Sequence, residues 1–271
     1  MILLSSVLLA QQSARPAYDV ASIKPADPND HRIIMANRPG ILSMTGVTLK
    51  LLIQQAYGVQ DFQISGGPGW VGSDRFIVEA KSLDAPTSPP PDLVKMSAAE
   101  RTRYLERPRA MLRGLLEDRF QLKVHNQTKE LPIYSLVVAK GGPKLKDNGG
   151  RMPDPNMKPG MMRIGPGGLE GSQMPVSALV DTLSQQLGRT VADQTGLKGN
   201  YDFTLKWTPD DPQGAAAFGG GLPLPPGVQP PDPNGPTLFT ALQEQLGLKL
   251  ESTKGPVDII VIDRAEKPSE N

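Results

Sequence analysis

The fold is decided by residues 48–58, which read TLKLLIQQAYG. The apolar residues recur at positions i, i+3, i+4, i+7 and i+8 from Leu49, which is the spacing of one helix face. Thr48 can cap the first turn through its hydroxyl, and Gly58 can adopt the left-handed conformation that ends a helix. The stretch therefore predicts an amphipathic helix whose apolar face packs on a sheet.

Helices and strands alternate along the rest of the chain. A second helix is predicted from Ala98, with Pro108 marking a kink or a fresh start. A third is predicted with Ser177 as its cap and Gly188 as its stop, and a fourth over residues 237–246. Alternation or enrichment in β-branched residues predicts strands at residues 18–25, 42–47, 62–65, 75–80, 120–124, 133–139, 200–207, 248–251 and 257–263.

The second half of the chain repeats the pattern of the first. The apolar stripe before Gly58 matches a stripe at Leu179, Leu183 and Leu187 before Gly188. Four further matches follow in the same order. Residues 75–79 match residues 202–206, and the stripe Leu112, Leu116 and Phe120 matches the stripe Leu238, Leu242 and Leu246. Residues 122–124 then match residues 248–250, and residues 132–140 match residues 256–264. Matches that keep one order predict an internal duplication.

The predicted fold class is α+β, with two pseudo-repeated halves that each carry two helix-plus-strand units on an antiparallel or mixed sheet. The first half spans residues 18–145, and a linker rich in Gly, Pro and Met spans residues 146–168. The second half spans residues 169–271 and contains a proline-rich loop at residues 209–236. The halves either enclose a cleft or share one continuous sheet, and the sequence leaves both arrangements open.

Composition excludes several classes of function. The 271-residue chain has a net charge of +1 and no cysteine. A charge near zero gives no electrostatic reason to expect nucleic acid as a partner. Without cysteine the chain cannot form a disulfide framework, a cysteine-ligated metal site or a thiol nucleophile.

The N-terminal residues predict export. Residues 1–14 carry a short apolar run followed by small and polar residues, which is typical of a secretory signal peptide, although no Lys or Arg precedes the run. The alternative interpretation is a buried N-terminal strand. The run is too short to span a bilayer, and no other stretch is long enough. We therefore expect an extracytoplasmic chain, periplasmic or secreted, without a transmembrane segment after cleavage.

Side chains suited to catalysis are sparse. The chain has two histidines, His31 and His125, so neither a histidine-rich metal site nor a serine–histidine–aspartate triad is expected. Asp74 and Glu79 do not stand out as a paired-carboxylate site. We assign no catalytic residue, no metal ligand and no cofactor, and we expect that the chain is not an enzyme.

The turn at residues 66–70, which reads GGPGW, is the strongest candidate for ligand contact. A Trp beside several glycines can stack on a sugar or a peptide. The alternative is a tight turn whose Trp70 packs on the core. The candidate ligand-binding residues are Gly67, Trp70, Arg75 and His125. The alternative interpretation of His125 is a surface or edge residue at the end of a strand.

Several motifs resemble a known family. They are residues 18–25 (YDVASIKP), 45–49 (TGVTL), 56–59 (AYGV), 66–70 (GGPGW), 118–125 (DRFQLKVH), 130–134 (ELPIY) and 139–145 (AKGGPKL). In this combination the chain resembles the DUF3738 family, soil-associated proteins numerous in Acidobacteria. The resemblance implies export and, for some members, fusion to membrane-bound metallopeptidase sensor modules. It supplies no activity and no catalytic residues.

The helix-and-strand units also resemble the small N-terminal domains of secretins and TonB-dependent receptors, which is an analogy at the level of fold. We expect an extracytoplasmic binding or interaction module, sensory by family analogy, without catalysis of its own. Its partner is an unidentified ligand or protein, with a membrane sensor as the partner that the family implies. The alternatives are a secreted hydrolase acting on polysaccharide or peptide and a structural assembly domain. A pocket containing two carboxylates, or a carboxylate beside His125, would favour the hydrolase. A shallow apolar groove or an open strand edge would favour binding.

Overall fold

The chain folds as an α+β protein, as the sequence predicts, with helices and both antiparallel and mixed sheets. The structure is a computed structural model that describes residues 16–30, 32–38, 40–83, 98–146, 157–165, 167–209 and 232–269. The predicted signal peptide, His31 and most of the proline-rich loop lie outside the described residues.

Strands β1 (Val20–Pro25), β2 (Ile34–Arg38), β3 (Ile41–Thr48) and β5 (Arg75–Lys81) form an antiparallel sheet with the order β1-β5-β3-β2. Alternate residues of β3 and β5 are buried on one face, as period-2 side-chain alternation requires, and Ile23 of β1 is buried on the same face opposite Val78. No strand is predicted from the sequence at residues 34–38, because polar residues surround the short apolar run there.

Helix α1 (Leu49–Tyr57) forms as the sequence predicts. The Thr48 hydroxyl accepts a hydrogen bond from the Leu51 N–H at 3.2 Å, and Gly58 ends the helix at φ +68°. Leu49, Leu52, Ile53 and Ala56 of the apolar stripe are buried, and each buried Leu or Ile side chain contributes about 1.5–3 kcal/mol relative to exposure. Helix α2 (Ala98–Phe120) continues through Pro108, so this proline does not start a new helix.

A second sheet contains β7 (Met161–Gly165), β8 (Gly168–Pro175) and β10 (Asn200–Lys206) in the antiparallel order β10-β8-β7. Helix α3 (Val176–Leu187) follows β8 directly. Its N-cap position is Pro175, so Ser177 lies in the first turn, and the prediction of Ser177 as the cap was wrong. Gly188 ends the helix at φ +57°, as predicted.

Helix α4 (Leu238–Ala241) continues as a π-helical turn over Leu242–Leu246. The Thr237 hydroxyl caps it by accepting the Thr240 N–H at 3.3 Å, and Gly247 ends the turn in the left-handed conformation. The helix predicted at residues 237–246 is therefore present, with a wider last turn than an α-helix has.

Two long strands replace four predicted short ones. Strand β6 (Lys123–Val138) and strand β11 (Leu248–Arg264) are each continuous. They are neighbours in a four-stranded sheet that also contains β4 (Ile64–Gly66) and β9 (Val191–Asp193). The strand order is β4-β11-β6-β9. The prediction of two separate strands in each stretch was wrong, because the intervening polar residues stay extended with exposed side chains. Phe120 ends α2 instead of starting a strand.

Tertiary contacts divide the chain into a first unit, Met1–His125 with Ile260–Asn271, and a second unit, Asn126–Ile259. The described part of the predicted linker at residues 146–168 lies inside the second unit, where it contributes β7. The order of strands and helices is alike in both units. In the first unit the hairpin β2-β3 precedes α1, and in the second the hairpin β7-β8 precedes α3. An origin by duplication stays a prediction.

Each unit has its own apolar core. The first is centred on side chains that are fully buried or nearly so: Val47, Leu49, Leu52, Ile53, Leu116 and Phe120. The second is centred on Leu136, Leu169, Leu179, Leu183, Leu205, Leu242 and Leu248. Among the described residues, no helix is both long enough and apolar enough to cross a membrane.

Candidate functional site

Strand β2 ends its sheet and pairs on one side only, with β3. In the described part of the chain no strand pairs with its other edge. Three consecutive apolar residues are exposed there: Ile33 at 53 %, Ile34 at 51 % and Met35 at 49 %. Folded proteins usually protect such an edge with charge, proline or a covering element, so an apolar open edge marks a candidate interaction surface.

The hydrogen bonds of β3 determine which backbone groups of β2 face outward. The carbonyl of Gly40 accepts the N–H of Ser82 at 2.7 Å, so it points toward β5. Backbone groups alternate in direction along an antiparallel strand. The N–H and C=O of Ile41 therefore point toward β2, where Ile41 pairs with Arg38.

The same alternation along β2 directs the backbone groups of Ile34, Ala36 and Arg38 toward β3. The N–H and C=O of Met35 and Asn37 point away from the sheet. An extended segment laid against β2 would find these groups available for hydrogen bonding.

The second unit has a comparable edge strand. The carbonyl of Gly167 accepts the Trp207 N–H at 2.8 Å, so the backbone groups of Met162 and Ile164 face the outer edge of β7 by the same reasoning. Ile164 is 47 % exposed. Met162, however, packs partly on the core, and its sulfur accepts the Thr182 hydroxyl at 3.3 Å. Met161 on β7 is also 43 % exposed, so this edge exposes two large apolar side chains against three at β2.

Trp70 lies in the 3₁₀ turn Gly69–Gly72 and packs mainly inward. Its ring is stacked on Phe120 with centroids 6.3 Å apart and meets the edge of Phe76 at 6.2 Å. These contacts favour the interpretation of Trp70 as a partly exposed core residue. Gly67 has φ +77°, which strains residues with a side chain, and a Cβ there would lie 3.0 Å from the Ile262 side chain, so its backbone conformation and tight packing account for this glycine.

The C-terminal segment closes over this turn. The Lys267 ammonium lies 2.7 Å from the Asp74 carboxylate and 6.0 Å from the centre of the Trp70 ring. The hydrogen bond from Lys267 holds the pKa of Asp74 below its usual value. The Glu266 N–H donates to the Phe120 carbonyl at 2.7 Å. Trp70 thus has contacts within the chain from Phe76, Phe120 and Lys267.

The other two predicted ligand-binding residues lie elsewhere in the first unit. Arg75 begins β5, and its carbonyl accepts the Ala26 N–H at 2.9 Å. His125 lies on β6, and its Nδ1 is 2.9 and 3.0 Å from the two carboxylate oxygens of Asp263 on β11. The side chains of His125 and Asp263 are 52 % and 48 % exposed, so they form a surface pair.

A groove of 620 Å³ runs between the segment before β1 and the outer face of α2. The two guanidinium groups that line it are bound to backbone carbonyls: Arg113 donates to Ala56 at 2.9 Å, and Arg119 donates to Ala21 at 3.1 Å. Both cations therefore hold α2 in place. The described residues contain no group of His, Asp and Glu side chains arranged to hold a metal ion.

The open edge of β2 was missed by the sequence reasoning. The available signal was the run Ile33-Ile34-Met35 inside an otherwise polar stretch. Such a run is typical of a short strand, but its position at the edge of a sheet depends on pairing with β3 and β5.

Comparison with known proteins identifies a family without adding a function. No curated protein and no solved structure gives a significant match to this chain. The model of the family described as "Protein of unknown function (DUF3738)" matches residues 50–265, which is most of the chain. The chain therefore belongs to the DUF3738 family.

Proposed function

We propose that this chain is a binding module, without catalysis of its own, that takes an extended polypeptide segment as an additional strand on β2. The open edge of β2, with the backbone groups of Met35 and Asn37 facing outward, is the observation that carries the proposal. The exposed side chains of Ile33, Ile34 and Met35 add apolar surface for the segment to cover.

The edge is suited to weak, reversible binding. Two outward-facing residues offer two N–H donors and two carbonyl acceptors, and each hydrogen bond is worth about 0.5–1.5 kcal/mol net. Covering half-exposed Ile and Met side chains adds about 25 cal/mol per Å² of apolar surface buried. After the cost of ordering the segment, we expect dissociation constants of about 1–100 μM.

The substitution Asn37→Pro tests the edge directly. Proline removes the outward N–H of residue 37 and leaves the β2–β3 hydrogen bonds in place, because edge strands tolerate proline where the N–H faces solvent. The probes are nine-residue peptides selected from a random phage-displayed library on the wild-type chain. We expect Asn37→Pro to weaken their binding at least about tenfold, as measured by fluorescence anisotropy.

Ile164→Pro is the matched control, because Ile164 is the outward-facing residue at the equivalent register of β7. This variant should bind the selected peptides as the wild type does. Urea unfolding should show that both variants remain folded. Equal binding by wild type and Asn37→Pro, or failure to select any peptide, would refute strand addition at β2.

A second copy of the chain is the other candidate occupant of the edge, and it corresponds to a structural assembly domain. Sedimentation velocity across a range of concentrations separates the two cases. A wild-type dimer that Asn37→Pro abolishes would make the second copy the occupant. We expect the chain to remain monomeric at low micromolar concentration.

The pair of His125 and Asp263 favours a hydrolase as the second candidate function. The carboxylate holds Nδ1 of the imidazole and leaves Nε2 directed elsewhere, as in a general base. The exposure of both side chains argues against it, because general bases usually work in water-excluded sites. Hydrolysis of a fluorogenic peptide or glycan panel that His125→Ala abolishes would favour the hydrolase. We expect no such hydrolysis.

A sensory role outside the cytoplasm is part of the same proposal. The resemblance implies that some family members are fused to membrane-bound metallopeptidase sensor modules, which supports the sensory role. The apolar run near residue 1 supports the location outside the cytoplasm. Fractionation of expressing cells tests the location: recovery of the chain with cytoplasmic markers alone would contradict it.

A further inference from the structure

We infer that β2 selects segments in which an acidic residue faces Arg38 and an apolar residue, four positions away, faces Ile34. This inference rests on the proposed strand addition and names the class of segment that is bound. Side chains that face the same side of neighbouring strands interact as cross-strand pairs, so the residues of β2 determine what an added strand presents.

The side chains of Ile34, Ala36 and Arg38 share one face of β2, because alternate residues of a strand point the same way. Met35 belongs to the opposite face. An added strand in either direction repeats every second residue, so its residues opposite Arg38 and Ile34 are four apart. Ala36 lies between them and leaves room for a larger side chain on the partner.

The charge on this face favours an anionic partner. Arg38 pairs across the sheet with Ile41, Ile41 pairs with Lys81, and Lys81 pairs with Val20. Arg38 and Lys81 thus lie on the same face two strands apart, which places their backbones about 9–10 Å from each other. Among the described residues neither cation has an ion-pair partner.

The rest of the face has the same character. Lys24 lies on the same side of β1 as Val20, while Glu79 is the one acidic side chain on this side of β5. The apolar side chains Val20, Ile34 and Ile41 are 65 %, 51 % and 43 % exposed. Cations interspersed with apolar residues suit a polypeptide carrying acidic and apolar side chains. The chain's net charge of +1 does not favour a polyanion such as nucleic acid.

Selection on two proteins tests the inference. The random nine-residue library is selected on wild-type chain and on Arg38→Glu in parallel. We expect the wild type to enrich Asp or Glu four positions from an apolar residue, and Arg38→Glu to enrich Lys or Arg at that acidic position. A wild-type peptide should bind Arg38→Glu about fivefold more weakly, and its acidic-to-lysine version should recover that loss.

Lys206→Glu is the control, because Lys206 is exposed on β10 of the second unit and the substitution makes the same change in net charge. It should leave the peptide preference and affinity unchanged. Two results would overturn this inference while leaving strand addition intact. In both, Asn37→Pro weakens binding of the selected peptides. The peptides then either show no charge preference or show the same preference on the wild type and on Arg38→Glu. Selection of no peptide would overturn both.

Discussion

Gln173 holds a left-handed backbone conformation, φ +50°, inside a β-bulge of β8 opposite β10. In the first unit the corresponding bulge of β3 contains Gly46 at φ +71°. Glycine adopts this conformation freely, whereas a residue with a side chain is strained by about 1–2 kcal/mol. Asp202 compensates part of that strain, because its carboxylate accepts the Gln173 N–H at 2.8 Å.

We predict that Gln173→Gly raises the free energy of unfolding by about 1 kcal/mol, since it relieves the left-handed strain. It also removes the side-chain amide nitrogen of Gln173, which has no hydrogen-bond partner among the described residues although it is buried. Urea unfolding followed by circular dichroism measures the change. Gly46→Ala should do the reverse, because its Cβ would collide with the carbonyl of Arg32. A destabilised Gln173→Gly would contradict the strain argument.

The pair of Asp74 and Lys267 makes a second prediction, on pH. The pKa of Asp74 is lowered in the folded chain, so the pair stabilises the fold above the pKa of an unfolded Asp, about 3.9. That contribution disappears as the pH falls through the lower, folded pKa. Lys267→Met should raise the pKa of Asp74 toward its usual value, as measured by the carboxyl carbon shift in an NMR titration.

Lys249→Met serves as the control for that titration, because Lys249 pairs with Glu251 in the second unit. This variant should leave the pKa of Asp74 unchanged. Because the side chains of Lys267 and Asp74 are 60 % and 36 % exposed, solvent weakens the pair, and the acid unfolding midpoint should rise only slightly in Lys267→Met. If the pKa of Asp74 is unchanged in Lys267→Met, Lys267 is not the group that lowers that pKa.

At the scale of an element, helix α2 contains Gly114 well inside its span. A Cβ at this position would meet nothing within 4 Å. We therefore predict that Gly114→Ala stabilises the chain by about 1 kcal/mol, the difference in helix propensity between the two residues. Thermal and urea unfolding measure it. Gly58→Ala is the contrast: Gly58 ends α1 at φ +68°, and its Cβ would press on Arg109, so this variant should be destabilised.

Strands β6 and β11 show an element property that no short window of sequence contains. Each was predicted as two strands because its middle is polar. In a strand, however, the backbone ladder and not the side chains supplies the hydrogen bonds, so polar residues can continue it while facing water. Thr128 and Asp258 illustrate this, since the Thr128 hydroxyl donates across to Asp258 at 2.5 Å.

At the scale of the whole molecule, each unit is completed by a strand segment from a distant part of the chain. Ile260 and Ile262 of β11 pair in parallel with Ile64 and Gly66 of β4, and both isoleucines are buried in the first core. In the second unit, Tyr134 of β6 pairs with Val191. The first unit therefore depends on residues near the C-terminus.

We predict that a fragment of residues 16–145 does not fold cooperatively, because it lacks Ile260 and Ile262 and leaves β4 without its partner. Residues 16–125 joined through a flexible Gly/Ser linker to residues 260–269 should recover a cooperative urea transition. Circular dichroism and tryptophan fluorescence report the transition. A cooperatively folded 16–145 fragment would show that the first unit does not need β11.

The sequence by itself determined the features that depend on neighbouring residues. Helix α1, its cap at Thr48 and its end at Gly58 follow from spacing and capping over one short stretch. The alternation of β5 and β10 and the α+β class follow in the same way. The candidate residues Gly67 and Trp70 were also found locally, although their contacts indicate packing.

Only the tertiary structure decided the features that depend on residues far apart in the chain. These are the open edge of β2, the continuity of β6 and β11, and the division of the chain into two units whose boundaries fall within those two strands. A strand's hydrogen bonds are made with a partner that the local sequence does not specify, so neither its neighbours nor its free edge can be read from its own residues. For the same reason the helix at residues 48–58 was predictable, whereas the surface proposed to bind a partner was not.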